Sequence, residues 1–301
     1  MQRRSFLKNT GLTLAAFAIL KQSALAHLLE DPAWKIRMLT DDVGMFTERG
    51  GTIVFMLSKE GLVVVDSQFP DTAAHLVDEM KRKSDKPFRL LVNTHHHGDH
   101  TGGNIAFKGL VPHVLAHANS KKNQEAVALK QNNAEKQLFP DQTFTKTWQE
   151  KIGNEKLKLY YFGAAHTDGD SLVHFQKNNV VHMGDLVFNR RHPFVDKTAG
   201  ANIANWIIVL DKAMKKFSKK TIFISGHSGN GYDVILNRSD LVAFQDYLGN
   251  VLHFTEGALK AGQPKEDILK LSEIPGSPQW KGDGIQRPLA AAIEELTAKM
   301  K

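Results

Sequence analysis

The sequence predicts an α/β protein built as a four-layer αββα sandwich. Three observations predict it. Short β-branched strands come in two runs, each run gives way to amphipathic helices, and the residues with ligand chemistry stand at strand ends. That order fits two packed sheets with helices outside them better than a single parallel sheet.

Taken along the chain, strands are expected at Trp34–Leu39, Val43–Thr47, Thr52–Leu57 and Leu62–Asp66, broken by Asp41-Asp42, Gly50-Gly51 and Lys59-Glu60-Gly61. A helix follows from Thr72 to Lys83, with Asp71 as its cap and Ala74, Leu76, Val77 and Met80 on its apolar face. The strand Phe88–Asn93 leads into the richest stretch of the chain. A helix near Asn104–Lys108, a strand at Val114–Ala116 and a helix at Ala118–Lys130 complete the first half. After Pro140 the second half begins, with strands at Lys156–Phe162, Ser171–Phe175 and Val180–Met183. A helix is expected at Asn202–Phe217, a strand at Thr221–Ser225, and helices over Arg238–Ala261 and Leu289–Met300. Whether residues 237–301 cover a site or pack behind the sheets is open at this level.

The stretch Thr94-His95-His96-His97-Gly98-Asp99-His100 holds four histidines and a carboxylate in six residues. Were it extended, His95, His97 and Asp99 would project to one side and His96 to the other. Gly98 lets the backbone bend and bring His100 toward the same centre. Neutral imidazoles and a carboxylate at this density suit a borderline metal such as zinc. Three further residues follow apolar runs: His166 after Tyr160-Tyr161-Phe162, Asp185 after Val180-Val181, and His227 after Ile222-Phe223-Ile224. A carboxylate that ends a buried strand needs a partner, and a metal supplies one.

The amino terminus carries Arg3-Arg4-Ser5-Phe6-Leu7-Lys8, a short apolar run from Thr10 to Leu20, and Ala24-Leu25-Ala26. This is the pattern of a twin-arginine export signal over residues 1–26, leaving residues 27–301 as the mature domain in the periplasm. The run is too short to span a bilayer, where about 20 apolar residues are needed, and no membrane association is expected once the signal is removed. Loss of Arg3, Arg4, Lys8 and Lys21 lowers the formal charge from +7 to +3. That modest excess, without a basic block interleaved with aromatics, argues against nucleic acid as partner. There is no cysteine, so neither a disulfide nor a thiolate ligand is available in an oxidising compartment.

On the motif His95-x-His97-x-Asp99-His100, followed in order by His166, Asp185 and His227, the chain resembles the metallo-β-lactamase-fold superfamily. The resemblance implies that His95, His97 and His166 hold one zinc and that Asp99, His100 and His227 hold a second, bridged by Asp185; iron or manganese would fit the same donors. It implies hydrolysis of a carbonyl bond in a small-molecule ester, thioester, lactone or lactam, by a hydroxide between two metals that Asp99 also orients. Asp66, ending Leu62-Val63-Val64-Val65, stands where such proteins keep a carboxylate that orients a ligand histidine. Arg190 and Arg191 are candidate anchors for a substrate anion.

Departures bear on substrate. Asp185 stands where lactamases with a cysteine ligand place that cysteine, and Phe188 where they place an anion-binding lysine. Thr94-His95-His96-His97 with Gly102-Gly103-Asn104 is similar to glyoxalase II, whereas Gly226-His227-Ser228-Gly229 departs from it. A true β-lactamase is one alternative and a mononuclear iron persulfide dioxygenase of the same fold another. The oligomeric state is not legible.

Overall fold

A computed structural model describes residues 33–299. The chain divides into a leading unit, Met1–Lys35, and a unit from Ile36 to Lys301; the site lies wholly in the second. The expected export signal, residues 1–26, lies outside the described residues. Among the described residues no helix is long and apolar enough to cross a membrane.

The first half of the chain forms β1 (Lys35–Met38), β2 (Val43–Thr47), β3 (Ile53–Ser58), β4 (Gly61–Val65), β5 (Phe88–Asn93), β6 (Val114–His117) and β7 (Gln142–Phe144), which lie side by side in that order. β4 through β7 run parallel, joined by α1 (Pro70–Lys83), α2 (Gly98–Thr101) and α3 (Ala118–Gln131). The second half supplies β8 (Thr147–Ile152), β9 (Glu155–Tyr160), β10 (Leu172–Phe175), β11 (Val180–His182), β12 (Phe188–Asn189), β13 (Ile222–Ile224), β14 (His227–Ser228) and β15 (Ile235–Leu236). Its main sheet has the order β15-β13-β11-β10-β9-β8, and β12 pairs with β14 alone. Three longer helices follow or intervene: α4 (Ile203–Lys216), α5 (Arg238–Lys260) and, beyond the single turn α6 (Lys265–Ile268), α7 (Gln286–Lys299).

Alternation along the strands explains the layers. Val63 and Val65 of β4 and Leu90 and Val92 of β5 meet Leu157, Leu159, Val173 and Phe175 of the second sheet in one buried cluster. Leu62, Val64 and Leu91, between them in sequence, are equally buried, so both faces of this sheet are covered and polar alternation is absent. The other face of the second sheet, through Leu172, Val181 and Phe223, packs with Trp206 and Leu210 of α4, Phe244 and Tyr247 of α5 and Leu289 of α7. The four-layer expectation therefore holds.

Three local expectations need correction. Asp71 does not cap α1: the helix starts at Pro70, whose missing N–H suits a first turn, and the N–H of Phe69 donates to Thr72 Oγ1 at 3.1 Å. β7 and β8 were not expected, because Gln142–Phe144 is short and Thr147–Ile152 is mostly exposed, with charges on an edge strand. The extended run of β5 stops at Asn93, and Asp99 and His100 sit in the helical turn α2. Asp99 reaches the centre from that turn and not by strand alternation.

Register places the chemistry. β4 and β5 are parallel with Val65 opposite Val92, so Asp66 lands beside Thr94. β11 and β13 are parallel with His182 opposite Ile224, so Gly184-Asp185 lands beside Gly226-His227, where the Gly226 N–H donates to Gly184 O at 2.8 Å.

Candidate metal centre

Seven side chains that the sequence singled out converge at these strand ends. One atom each of His95, His97, His166 and Asp185 lies within 4.8 Å of the others, and the same holds for Asp99, His100 and His227. His95 Nε2 and His166 Nε2 stand 3.1 and 3.0 Å from His97 Nδ1. Asp185 lies between the groups, its Oδ2 3.5 Å from His166 Nε2 and 3.6 Å from His227 Nε2, its Oδ1 3.2 Å from His100 Nε2.

The outer partners of the imidazoles determine which nitrogen faces inward bare. Phe194 O can only accept, so His166 Nδ1–H donates to it at 2.8 Å and Nε2 carries a lone pair. His97 donates from Nε2 to Asp196 Oδ2 at 3.0 Å, leaving Nδ1 bare. Thr94 Oγ1 donates to Asp66 Oδ2 at 2.7 Å and so accepts from His95 Nδ1 at 3.0 Å, which leaves His95 Nε2 bare. The bare Nδ1 of His97 thus stands 3.0–3.1 Å from two other bare nitrogens, repulsive unless a cation takes the lone pairs. These separations are close to the edge of a coordination polyhedron with metal–nitrogen bonds of about 2.0–2.1 Å. Asp185 Oδ1 is buried without a hydrogen-bond partner among the described residues. The donor set fits a metal.

Electrostatics agree. Burial holds His95 well below the ordinary imidazole range and takes His166 down to about 3, with neighbouring imidazoles adding to the effect, so both stay neutral and available as donors. Burial also opposes charge on His100, but Asp185 and Asp66 outweigh it and raise that imidazole well above its ordinary range. The negative potential that draws a proton there would draw a cation. Burial would raise Asp185 and Asp99, yet the imidazoles against them prevail: Asp185 falls well below the carboxylate range and Asp99 to about 2.

Asp66 holds two of the rings. It is fully buried and accepts from the Thr94 N–H at 2.7 Å, from Thr94 Oγ1, and from His100 Nδ1 at 2.8 Å. His182 lies 3.4 Å from the same carboxylate. The Asp66 backbone is left-handed, φ 66°, a conformation that costs on the order of 1–3 kcal/mol and persists where surrounding bonds over-determine it. Two glycines make room. A Cβ on Gly51 would stand 2.2 Å from the His100 ring, and one on Gly226 would stand 2.1 Å from Asp185 Oδ1.

Asp196 is the residue that sequence reasoning missed. One of its oxygens is anchored by Thr198 N–H, Thr198 Oγ1 and Ala199 N–H at 3.1, 2.6 and 3.1 Å, leaving the other for His97 and, at 3.4 Å, for His96. Burial opposes its ionisation, but the two imidazoles and Thr198 hold it far below the carboxylate range. The one signal was Asp196-Lys197-Thr198, an Asp that can cap a turn. No apolar strand precedes it. Nearby, Asp170 accepts from the Thr167 N–H and meets Thr167 Oγ1, and burial pushes its carboxyl up to about 8.

A cavity of about 330 Å³ opens over the centre, lined by His97, Asp99, Asp185, Phe188, Arg191, Phe194, His227 and others. Arg190 does not face it. Its guanidinium pairs with Asp240 at 3.2 Å and lies over the rings of Tyr232 and Trp280. Trp206 is core, donating to Leu186 O.

This architecture and donor set define a class, and comparison with known proteins agrees. The chain belongs to the metallo-beta-lactamase superfamily, whose family model matches residues 46–227. It is similar to the metallo-beta-lactamase type 2 of Elizabethkingia meningoseptica, 25% identical over 66% of this chain and 80% of that one. It is also similar to a probable hydroxyacylglutathione hydrolase of Schizosaccharomyces pombe, 24% identical over 67% and 74%. In fold it is similar to a metallo-beta-lactamase from Pontibacter korlensis, with TM-score 0.61, 21% identity and 72% and 99% of the two chains covered. The sec-alkylsulfatase Pisa1 from Pseudomonas sp. superposes with TM-score 0.69 at 15% identity, over 86% of this chain and 50% of that one. The protein is a hydrolase of this superfamily with a His/Asp cluster able to hold metal.

Proposed function

We propose that the protein is a dinuclear zinc hydrolase that cleaves a carbonyl bond in a small ester, thioester, lactone or lactam. The observation that carries this is the convergence of three bare imidazole nitrogens, His97 Nδ1 lying 3.0–3.1 Å from those of His166 and His95, with Asp185 between them and a second donor group, Asp99, His100 and His227. His95, His97 and His166 would hold one ion and Asp99, His100 and His227 the other, with Asp185 within reach of both groups. Bound there, two such ions would supply a hydroxide nucleophile near neutral pH and polarise the scissile carbonyl.

The chain's own residues do the rest. Asp99, about one third exposed toward the cavity and kept ionised, accepts a hydrogen bond from the attacking water and orients it. Asp66 and Asp196 hold His100, His95 and His97 in single tautomers. Phe188 and Phe194 keep one wall of the cavity apolar. The twin-arginine pattern at Arg3-Arg4 supports export to the periplasm.

A β-lactamase is the second reading, favoured by the similarity to metallo-beta-lactamases type 2. Hydrolysis of a chromogenic cephalosporin by zinc-loaded protein separates the two. Turnover lost with a chelator and regained with zinc would make it a lactamase. No turnover from protein shown to hold two metals, together with hydrolysis of a thioester or lactone, would place the substrate in those classes instead. Bound iron with oxygen consumption would overturn both.

A further inference from the structure

The cavity over the centre carries positive charge that the chain does not neutralise. Two nearby arginines are paired: Arg49 with Asp71 at 2.6 Å and Arg190 with Asp240 at 3.2 Å. Arg191 and Arg287 both line the cavity, and neither has an ion pair among the described residues. Arg287 comes from α7, so the carboxy-terminal part reaches the site as well as packing behind the sheets. Its guanidinium lies 5.6 Å over the ring of Phe194, a stacking that leaves its N–H edge free for an acceptor.

His192, next to Arg191 in sequence, also lines the cavity and is 3% exposed. Its Nδ1 is 2.8 Å from Tyr247 Oη, and its Nε2 is buried with no hydrogen-bond partner among the described residues. Burial keeps both groups uncharged, lowering His192 and raising Tyr247. When the buried Tyr247 hydroxyl accepts from His192 Nδ1, the bare Nε2 is an acceptor; when the hydroxyl donates, Nε2–H is a donor toward the cavity. A buried polar atom left without a partner is costly, so a ligand group is its natural complement. Two unpaired guanidiniums beside it decide that the complement is an anion and that Nε2 donates. Asp99 and Asp185 line the same space and would repel a second negative charge. Phe194, 41% exposed, offers an apolar wall next to the cations.

We propose that Arg191, His192 and Arg287 form a recognition subsite for a singly charged oxyanion, a carboxylate or sulfonate, joined to an apolar group that lies against Phe194. The substrate is then an acidic one, held by its anion while its other end meets the metal centre. This rests on the hydrolase reading for the reaction and on the cavity alone for the binding.

Calorimetric titration of the zinc-loaded protein with phenylacetate, phenylmethanesulfonate and the neutral phenylacetamide tests it. The tighter of the two anions is expected to bind at least tenfold more tightly than the amide, and names the oxyanion. Arg287→Gln and Arg191→Gln, both at exposed positions, should each erase at least fivefold of that preference. His192→Ala should do the same, with His192→Gln, which retains a donor, recovering part of it. A preference that survives both arginine substitutions would overturn the proposal, since the anion would then be held by the metal alone. Tighter binding of phenyl phosphate, which carries about −1.5 to −2 charges, would overturn the single-charge assignment. Charge-selective binding by a metal-loaded protein that hydrolyses none of the carbonyl classes would sink the carbonyl-bond reading and leave the subsite standing.

Discussion

At the floor of the cavity the outer nitrogens of His95, His97, His100 and His166 are held by Thr94, Asp196, Asp66 and Phe194 O, and those of His95, His97 and His166 that face inward are bare. At the mouth, Arg191 and Arg287 are exposed and unpaired among the described residues, and only His192 is held, by Tyr247. The floor gathers charge that would be prohibitive in a buried place unless each carboxylate met its imidazoles, so its geometry has to be built in advance. The mouth, facing solvent, keeps its cations without that burden. The held rings of the floor suit the proposed chemistry, and the unpaired cations of the mouth suit the proposed recognition of substrate.

The sharpest way to break this contrast is to remove a floor donor. His166→Ala or Asp185→Asn should take turnover to background and lower the bound metal, read by elemental analysis on folded protein. Retained turnover in either would remove the centre from the mechanism.

A graded test compares the two supporting carboxylates. Loss of such a partner typically weakens metal affinity or activity by about 10–100-fold. Asp66 serves His100 directly and His95 through Thr94, whereas Asp196 serves only His97 among the inward-facing rings. Asp66→Asn is therefore expected at the upper end of that range and Asp196→Asn at the lower, measured by competition with a chelating dye. The reverse order would mean that His97 limits metal retention.

A smaller effect, in stability alone, is expected at Asp170. Its carboxyl is raised from 3.8 to about 8 by burial. Below pH 4 both folded and unfolded chains hold the proton. Between about 4 and 8 only the folded chain holds it, so stability falls as pH rises and levels off above 8. Asp170→Asn can still accept from the Thr167 N–H and donate to Thr167 Oγ1, and should remove this slope. Urea unfolding of both proteins across that range measures the difference; parallel curves would place Asp170 in its ionised form.

Much of the fold was legible because its signals are local. The valine run of β4, the strand Phe88–Asn93 and the amphipathic pattern of α4 each declare a buried face over a few residues. That seven donor side chains would converge was legible for the same reason, since donors dense in sequence or placed after apolar strands have few other uses. β7 and β8, short or exposed, lack that signal. So does Asp196, which looks like any turn-capping Asp, and Arg287, which looks like any exposed helix arginine.

The sequence by itself therefore determined the sandwich, the donor residues and the family resemblance, because strand periodicity and donor chemistry are properties of neighbouring residues. Only the tertiary structure decided that Asp196 grips His97 across 99 positions, that Arg191 and not Arg190 faces the cavity, and that a helix near the chain's end brings Arg287 to its mouth. Those contacts join segments remote in sequence, and parallel strand register and helix packing settle which of two adjacent side chains points inward.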